Sequence, residues 1–302
     1  MCNKELIEKI NKLKKEKNAI ILAHSYQNVE IDEVADFSGD SLYLSRMAAQ
    51  TNADIIVFAG VYFMAETAKI LSPKKKVLLP RLDAGCEMAD MINLKQLRNF
   101  KQNHPNIPVV CYINSTAEVK SESDICCTSA NAIDVVKSLN TKEVLFVPDR
   151  HLGSYVESQL TDIKVTTYQG CCPIHDRITP EDILKKKKEY PNAKLLIHPE
   201  CDKEVTKLAD FVGSTTGIIK EAKNSDKKEF IIVTEKGVVD RLKRDCPEKE
   251  FILVSEKAIC KNMKSNSLED ILSVLENENN EITVDETIAL KALNTIERML
   301  AV

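Results

Sequence analysis

Apolar residues along this chain come in short runs, separated by longer amphipathic stretches. Three of the runs, Ala19–Ala23, Val109–Ile113 and Leu195–Ile197, show no polar face. Strands buried on both sides of a parallel sheet read this way. A second set lies at Ile55–Ala59, Val144–Val147 and Phe230–Val233, and a third at Val77–Leu79, Val165–Thr167 and Phe251–Val254. Helical patterns fill the gaps. Thr179-Pro180-Glu181-Asp182-Ile183-Leu184 opens one of them, with Thr as N-cap, Pro at the first helical position and acids in the first turn. Strand–helix alternation of this kind predicts layers of parallel α/β structure.

The pattern repeats. Ala23-His24-Ser25-Tyr26 aligns without a gap on Cys111-Tyr112-Ile113-Asn114 and on Ile197-His198-Pro199-Glu200, at spacings of 88 and 86 residues. In the same register Asp36 to Ser41 aligns on Asp124 to Ser129 and on Asp210 to Thr215. Glu30, Glu118 and Glu204 also fall into line. The chain therefore divides into three α/β units, at 1–90, 91–176 and 177–264. Residues 265–302 form a helical tail, Ser267–Leu275 and Asp285–Leu300, expected to close onto the first unit.

Ligands collect beyond the carboxyl ends of parallel strands, and the aligned polar residues stand there. His24, Tyr112 and His198 follow the first strands directly, with Tyr26, Asn114 and Glu200 two residues on. Ser41, Ser129 and Thr215 come where the next helices are expected to begin. Three units around an approximate threefold axis would turn these nine side chains toward one central cavity. The plainer reading makes the three hydroxyl residues helix N-caps, each contributing about 1 kcal/mol.

Composition narrows the class. A chain of 302 residues with 43% hydrophobic and 29% charged residues has the balance of a folded protein. Its net charge of −4 lacks the basic excess of a nucleic-acid binder. No apolar run is long enough to span a membrane, and Met1-Cys2-Asn3-Lys4-Glu5 has no apolar signal region, so a cytoplasmic enzyme is expected. With only 8 glycines, most connections must turn without Gly.

Ten cysteines in a reducing compartment are not a disulfide framework. C-x-x-C is absent, and so is the local spacing of a zinc finger. Yet Cys86, Cys172 and Cys260 each follow the last strand of their unit, at spacings of 86 and 88. One thiolate per unit would then meet near the axis. Three thiolates fit a tetrahedral zinc with an open position, or a cubane iron–sulfur cluster with one iron free of protein ligands. Cys171 is a rival to Cys172 that spacing barely separates.

The ordered set Ala23-His24-Ser25-Tyr26, Gly39-Asp40-Ser41-Leu42, Phe63-Met64-Ala65-Glu66, Tyr112-Ile113-Asn114, Pro148-Asp149, Cys172-Pro173-Ile174-His175, His198-Pro199-Glu200-Cys201, Gly213-Ser214-Thr215-Thr216-Gly217 and Cys260-Lys261-Asn262-Met263-Lys264 resembles the quinolinate synthase family over essentially the whole chain. The resemblance implies three three-layer αβα domains in a triangle around a [4Fe–4S] cluster. A ligand cysteine three residues before a His selects Cys172, before His175, over Cys171. By the same resemblance the substrate contacts are His24, Ser41, Tyr112, Asn114, Ser129, His175, His198, Glu200 and Thr215. Pro173 and His151 depart from the family pattern, where a small apolar residue and Asn are more usual. Neither removes a ligand.

The implied reaction condenses iminosuccinate, made from L-aspartate by a separate oxidase, with dihydroxyacetone phosphate to give quinolinate, phosphate and two waters. Both substrates are anions, which suits the hydroxyls, Asn114 and the imidazoles as donors. The open iron would act as a Lewis acid. Tyr26 and Glu200 are the acid/base candidates, with His24 and His198 holding substrate. An iron–sulfur dehydratase for another small carboxylate would use the same site. A non-enzymatic metal or redox-sensing module would not need nine converging polar residues.

Overall fold

A computed structural model describes residues 2–302; Met1, counted above in the first unit, lies outside them. The chain builds three four-stranded sheets, every strand pairing in parallel. The first holds β1 (Ala19–His24), β2 (Phe37–Gly39), β3 (Ile55–Ala59) and β4 (Lys76–Leu78). The second holds β5 (Val109–Tyr112), β6 (Ile125–Cys127), β7 (Glu143–Val147) and β8 (Lys164–Thr167). The third holds β9 (Lys194–Ile197), β10 (Phe211–Val212), β11 (Glu229–Val233) and β12 (Glu250–Leu253). All three share one strand order: β2-β1-β3-β4, β6-β5-β7-β8 and β10-β9-β11-β12.

Helices cover both faces, as the two-sided apolar strands require. Along β1, Ile21 and Ala23 pack with Leu6, Ile10, Ile271 and Leu275 of flanking helices, while Leu22 faces the other layer with Leu44 and Phe63. The third sheet divides likewise: Leu195 and Ile197 pack with Ile183, and Leu196 with Ile218 and Leu242. The inner layer of the first unit is continuous with the core of the second. Those two units are fused through shared apolar packing, which the repeat did not foretell.

The nine strands read from apolar runs are present to within a residue at each end. The three that pattern missed, β2, β6 and β10, are two or three residues long and lie at sheet edges. Each is locked by the aspartate that precedes it. Asp36 accepts the Ile21 amide at 2.8 Å, Asp124 the Val109 amide at 2.7 Å and Asp210 the Leu195 amide at 2.7 Å. The repeated aspartate is therefore a strand-pairing residue, satisfying a backbone donor that the short ladder leaves over.

Asparagine does the work of the missing glycines. Asn18, Asn106, Asn140 and Asn280 hold left-handed φ of 47°, 66°, 49° and 57°, a region Asn tolerates better than other non-Gly residues. Asn18 and Asn106 occupy equivalent places before β1 and β5.

The sequence places the whole tail on the first unit. In the structure the helix Leu268–Asn277 packs there, against the helix Asn3–Glu16 and β3. The helix Glu286–Leu300 lies mainly on the second unit, against the helix Ala117–Ser121 and β6, and also touches the helix Tyr62–Leu71 of the first. Its buried stripe Ala292, Ile296 and Met299 belongs to the core that the two units share, which draws it across. No helix among the described residues is long and apolar enough to cross a membrane.

Candidate active site

The carboxyl ends of the three sheets open on one cavity of about 240 Å³. All thirteen residues singled out in the sequence line it: His24, Tyr26, Ser41, Cys86, Tyr112, Asn114, Ser129, Cys172, His175, His198, Glu200, Thr215 and Cys260. Cys171 is buried but does not line it.

Each of the three cysteines begins a tight turn whose amides face its own sulfur. The backbone N–H groups of Met88 and Ala89 act to lower the Cys86 thiol, those of Ile174 and His175 the Cys172 thiol, and those of Asn262 and Met263 the Cys260 thiol. The spacing, two and three residues on, is the same in all three. Pro173 is no obstacle to it, because Pro173 is the first residue of the short helix Pro173–Asp176, where a proline lacks nothing. Burial pushes all three thiols up, Cys86 to about 12, with the neighbouring cysteines adding to the shift at Cys86 and Cys172. A strongly cationic group between them would favour the thiolate form of all three. Three converging sulfurs, each with two backbone amides set to favour negative charge on it, suit an iron–sulfur cluster. Glu235 steadies the third turn: its carboxylate accepts the Cys260 amide at 3.2 Å and the Gly237 amide at 2.6 Å.

His24 and His198 are held alike. Nδ1 of His24 accepts the Tyr26 amide at 3.1 Å, and Nδ1 of His198 accepts the Glu200 amide at 3.3 Å. A neutral ring that accepts at Nδ1 carries its proton at Nε2. Burial lowers both rings to about 3, with Arg241 adding to the effect at His24. Each is thus a neutral N–H donor at the cavity wall.

The acid/base candidates form one connected chain. Tyr112 donates to Glu200 Oε1 at 2.5 Å, and His175 Nδ1 lies 2.8 Å from Glu200 Oε2. Burial alone would raise the Glu200 carboxyl. His175, His198 and the Tyr112 hydroxyl outweigh that and hold it below the usual carboxylate range. His175 Nε2 meets Thr234 Oγ1 at 2.9 Å, Thr234 Oγ1 meets the Tyr26 hydroxyl at 2.9 Å, and Thr215 Oγ1 donates to that hydroxyl at 3.1 Å. Burial, then the Glu200 charge, raises both phenols, so Tyr26 and Tyr112 keep their protons. Asn114 Oδ1 is buried without a hydrogen-bond partner among the described residues, which marks it for a ligand.

The hydroxyl residues are not the caps that the plainer reading made them. Asp40 caps the helix Ser41–Gln50 by accepting the Tyr43 amide, and Ser214 caps Thr215–Asn224 by accepting the Gly217 amide. Ser129 does not open a helix at all. It sits in a turn tied by Thr128 and Asn131, and the helix begins at Ala132.

The model of the quinolinate synthetase A protein family matches residues 8–301. The chain is 53% identical over 302 residues to the quinolinate synthase of Alkaliphilus metalliredigens (strain QYMF), with 100% of both chains covered. It is 56% identical over 300 residues to that of Dehalococcoides mccartyi (strain CBDB1), covering 99% of each. The chain belongs to the quinolinate synthase family. A relative named quinolinate synthase in Methanosarcina barkeri (strain Fusaro / DSM 804) is 51% identical over 302 residues, covering 100% of this chain and 99% of its own.

Within this quinolinate synthase fold, sequence reasoning missed Thr234 and Glu235, and it gave Asp149 only as part of the Pro148-Asp149 motif, without a role. Asp149 caps the helix Arg150–Ser158 through the His151 and Leu152 amides, as Glu235 caps Lys236–Asp245. Both follow the central strand of their sheet, but the first unit has Val61 there, so a search for positions polar in all three copies passes them by. His151, a departure from the family pattern, bonds through Nε2 to Asp176 at 2.7 Å, and Arg150 reaches the same oxygen at 2.6 Å. It pins the turn that carries Cys172 rather than lining the cavity.

Proposed function

We propose that this protein is a quinolinate synthase of NAD biosynthesis. It condenses iminosuccinate with dihydroxyacetone phosphate and releases phosphate and two waters. Cys86, Cys172 and Cys260 hold a [4Fe–4S] cluster. The observation that carries the reading is the convergence of these three cysteines, one per unit, with the polar set on one cavity. When bound, a cluster with three cysteine ligands supplies one iron as a Lewis acid for a substrate oxygen.

The remaining work falls to the side chains. Ser41, Ser129 and the Nε2–H donors of His24 and His198 bind the carboxylates and phosphate of the two anions, and Thr215 joins them by turning its hydroxyl proton from Tyr26 to the ligand. Their neutrality costs nothing here, because hydrogen bonds to an anion are charge-assisted from the ligand's side. Asn114 Oδ1 takes an N–H or O–H of the substrate. Glu200, a carboxylate, accepts protons during isomerisation and dehydration, while Tyr26 and Tyr112 hold protons at their phenolic oxygens. Iminosuccinate is supplied by a separate enzyme that oxidises L-aspartate, and the reading places both in the cytoplasm.

The test is iron and acid-labile sulfide on anaerobically purified protein, together with quinolinate formed from the two substrates. About four irons per chain and substrate-dependent quinolinate are expected. Iron and sulfide with no quinolinate would favour a dehydratase of another small carboxylate. A fourth protein ligand to the cluster would favour a redox module.

A further inference from the structure

Cys111 of β5 and Cys126 of β6 are direct partners across the second sheet, the register placing one Cα opposite the other. Neighbouring strands lie about 4.8 Å apart, and residues so paired point to one face. That separation is within the range of about 4.4–6.8 Å that a disulfide spans between Cα atoms. Both thiols are free and wholly buried, and neither lines the cavity. The same register sets Ala23 opposite Ser38 in the first sheet and Ile197 opposite Val212 in the third, so the second unit alone carries a thiol pair there.

The surroundings favour charge on one of the two sulfurs. Lys120 is wholly buried in the helix Ala117–Ser121 and donates to Thr67 Oγ1 at 2.9 Å and to the Phe63 carbonyl at 3.5 Å. Among the described residues it makes no ion pair. Burial lowers it, while Glu66, Cys126 and Cys111 act the other way. Glu66 is itself raised by burial, and its carboxylate accepts the Ala117 amide at 3.2 Å. A buried ammonium with no carboxylate against it calls for another anion. Ser115 Oγ is buried without a hydrogen-bond partner among the described residues, which leaves its O–H free to turn to Cys111. Burial would raise Cys111, but Cys126, then Ser115 and Lys120, outweigh it and hold that thiol below its ordinary value. Burial, then Cys111, raises Cys126, whose sulfur lies 3.3 Å from Thr295 Oγ1 of the tail helix.

We infer that Cys111 and Cys126 are a peroxide-reactive pair, with Cys111 as the nucleophile and Cys126 as the thiol that closes a reversible disulfide. Hydrogen peroxide is the oxidant, small enough to reach sulfurs that larger oxidants do not. The Cys111 thiolate attacks one peroxide oxygen, and an S–O bond forms as the O–O bond breaks, leaving a sulfenic acid and hydroxide. Hydroxide takes the Cys126 proton and becomes water. The Cys126 sulfur then attacks the Cys111 sulfur, and the S–S bond forms as the S–O bond breaks. The departing hydroxide takes a proton from solvent, so two electrons have passed to peroxide and two waters have left. The site goes beyond the proposed reaction and uses none of its residues. Its bridge joins β5 to β6 one residue before Tyr112 and three before Ser129, both at the cavity wall.

The test treats full-length, anaerobically purified protein with hydrogen peroxide, taking the exposed Cys2 as the dose reference. Trypsin cuts after Lys101, Lys120 and Lys137, which leaves Cys111 in one peptide and Cys126 with Cys127 in the next. With free thiols alkylated, mass spectrometry is expected to find the two peptides linked, fragmentation to place the bond at Cys126, and dithiothreitol to separate them. Cys126→Ser should stop Cys111 at the sulfenic acid, trapped as a dimedone adduct when the oxidised protein is unfolded in that reagent. Lys120→Met should slow the linkage roughly 10-fold, because less of Cys111 is thiolate. The wild-type peptides decide the bridge if a variant does not fold. Free thiols at both positions once Cys2 is fully oxidised would overturn the inference. So would a bond to Cys127 or to a cysteine of the cavity, a Cys126→Ser protein without the adduct, or wild-type linkage in Lys120→Met.

Discussion

The Tyr112 hydroxyl donates to Glu200 Oε1 at 2.5 Å, joining the carboxyl end of β5 in the second sheet to that of β9 in the third. Both groups are buried, so the bond is charge-assisted and unscreened. Glu200→Gln removes the proton acceptor and should lower kcat by roughly 10²- to 10⁴-fold. Tyr112→Phe removes only a hydrogen bond to a charged group, a loss of about 1.5–3 kcal/mol. That corresponds to roughly 10- to 150-fold in rate. Steady-state quinolinate formation separates the two. A Tyr112→Phe loss equal to that of Glu200→Gln would make the phenol a proton carrier in its own right.

Cys86→Ala, Cys172→Ala and Cys260→Ala should each abolish iron content, visible absorption and turnover. Cys171→Ala should leave all three nearly intact, because its sulfur stands outside the cavity that Cys172 lines. Iron and sulfide assays on the four variants check this. Retention of iron in Cys172→Ala would show that its neighbour substitutes for it.

Thr215→Ala and Ser214→Ala offer a sharper contrast, since one residue lines the cavity and the other caps the helix. Ser214→Ala should lower stability by about 0.5–2 kcal/mol, the range for a lost N-cap, and leave quinolinate affinity alone. Thr215→Ala, with Ser41→Ala and Ser129→Ala, should weaken quinolinate binding by roughly 10-fold or more with little change in melting temperature. Calorimetric titration and thermal melting on the same preparations decide it. Normal affinity in all three would remove them from the anion site.

Acid should unfold the protein partly through its histidines. His24 and His198 are held at about 3 when folded, against an ordinary 6.5. Above pH 6.5 neither state binds their protons. Between 6.5 and about 3 the unfolded chain takes up protons that the folded one refuses, so stability falls as pH falls. The double variant His24→Gln/His198→Gln should show a shallower loss of urea midpoint between pH 7.5 and 5. An unchanged slope would mean that other groups carry the acid response.

How far the sequence could be read depended on what each residue leaves in the pattern. Ile55–Ala59 announced itself because a strand covered on both faces is apolar throughout. Phe37-Ser38-Gly39 did not, since three mixed residues have no period to detect and the Asp36 carboxylate does the holding. The cavity residues were legible where all three units kept a polar side chain, as at His24, Tyr112 and His198. Thr234 was not, because its counterparts Gly60 and Pro148 carry no hydrogen-bonding side chain. Only the second tail helix was misplaced, for another reason. Amphipathic spacing in Glu286–Leu300 tells that one face is buried but not which unit buries it.

That tail also has a consequence for how the molecule is made. Asn280 and Ile282 pair with Leu79 and Val77 along the outer edge of the first sheet. Arg298 then reaches the Asp124 carbonyl at 2.6 Å, and the Met299 carbonyl takes the Asn131 amide at 3.2 Å, both in the second unit. These residues follow all three sheets along the chain. The sheets can form in order as the chain emerges, but the seam between the first two stays unclosed until the residues beyond the third sheet have followed. Until then the edge of β4 is bare and open to other nascent chains. A chain stopped near residue 265 would therefore keep three sheets and every cavity residue, yet lack the strap that fastens the first two together.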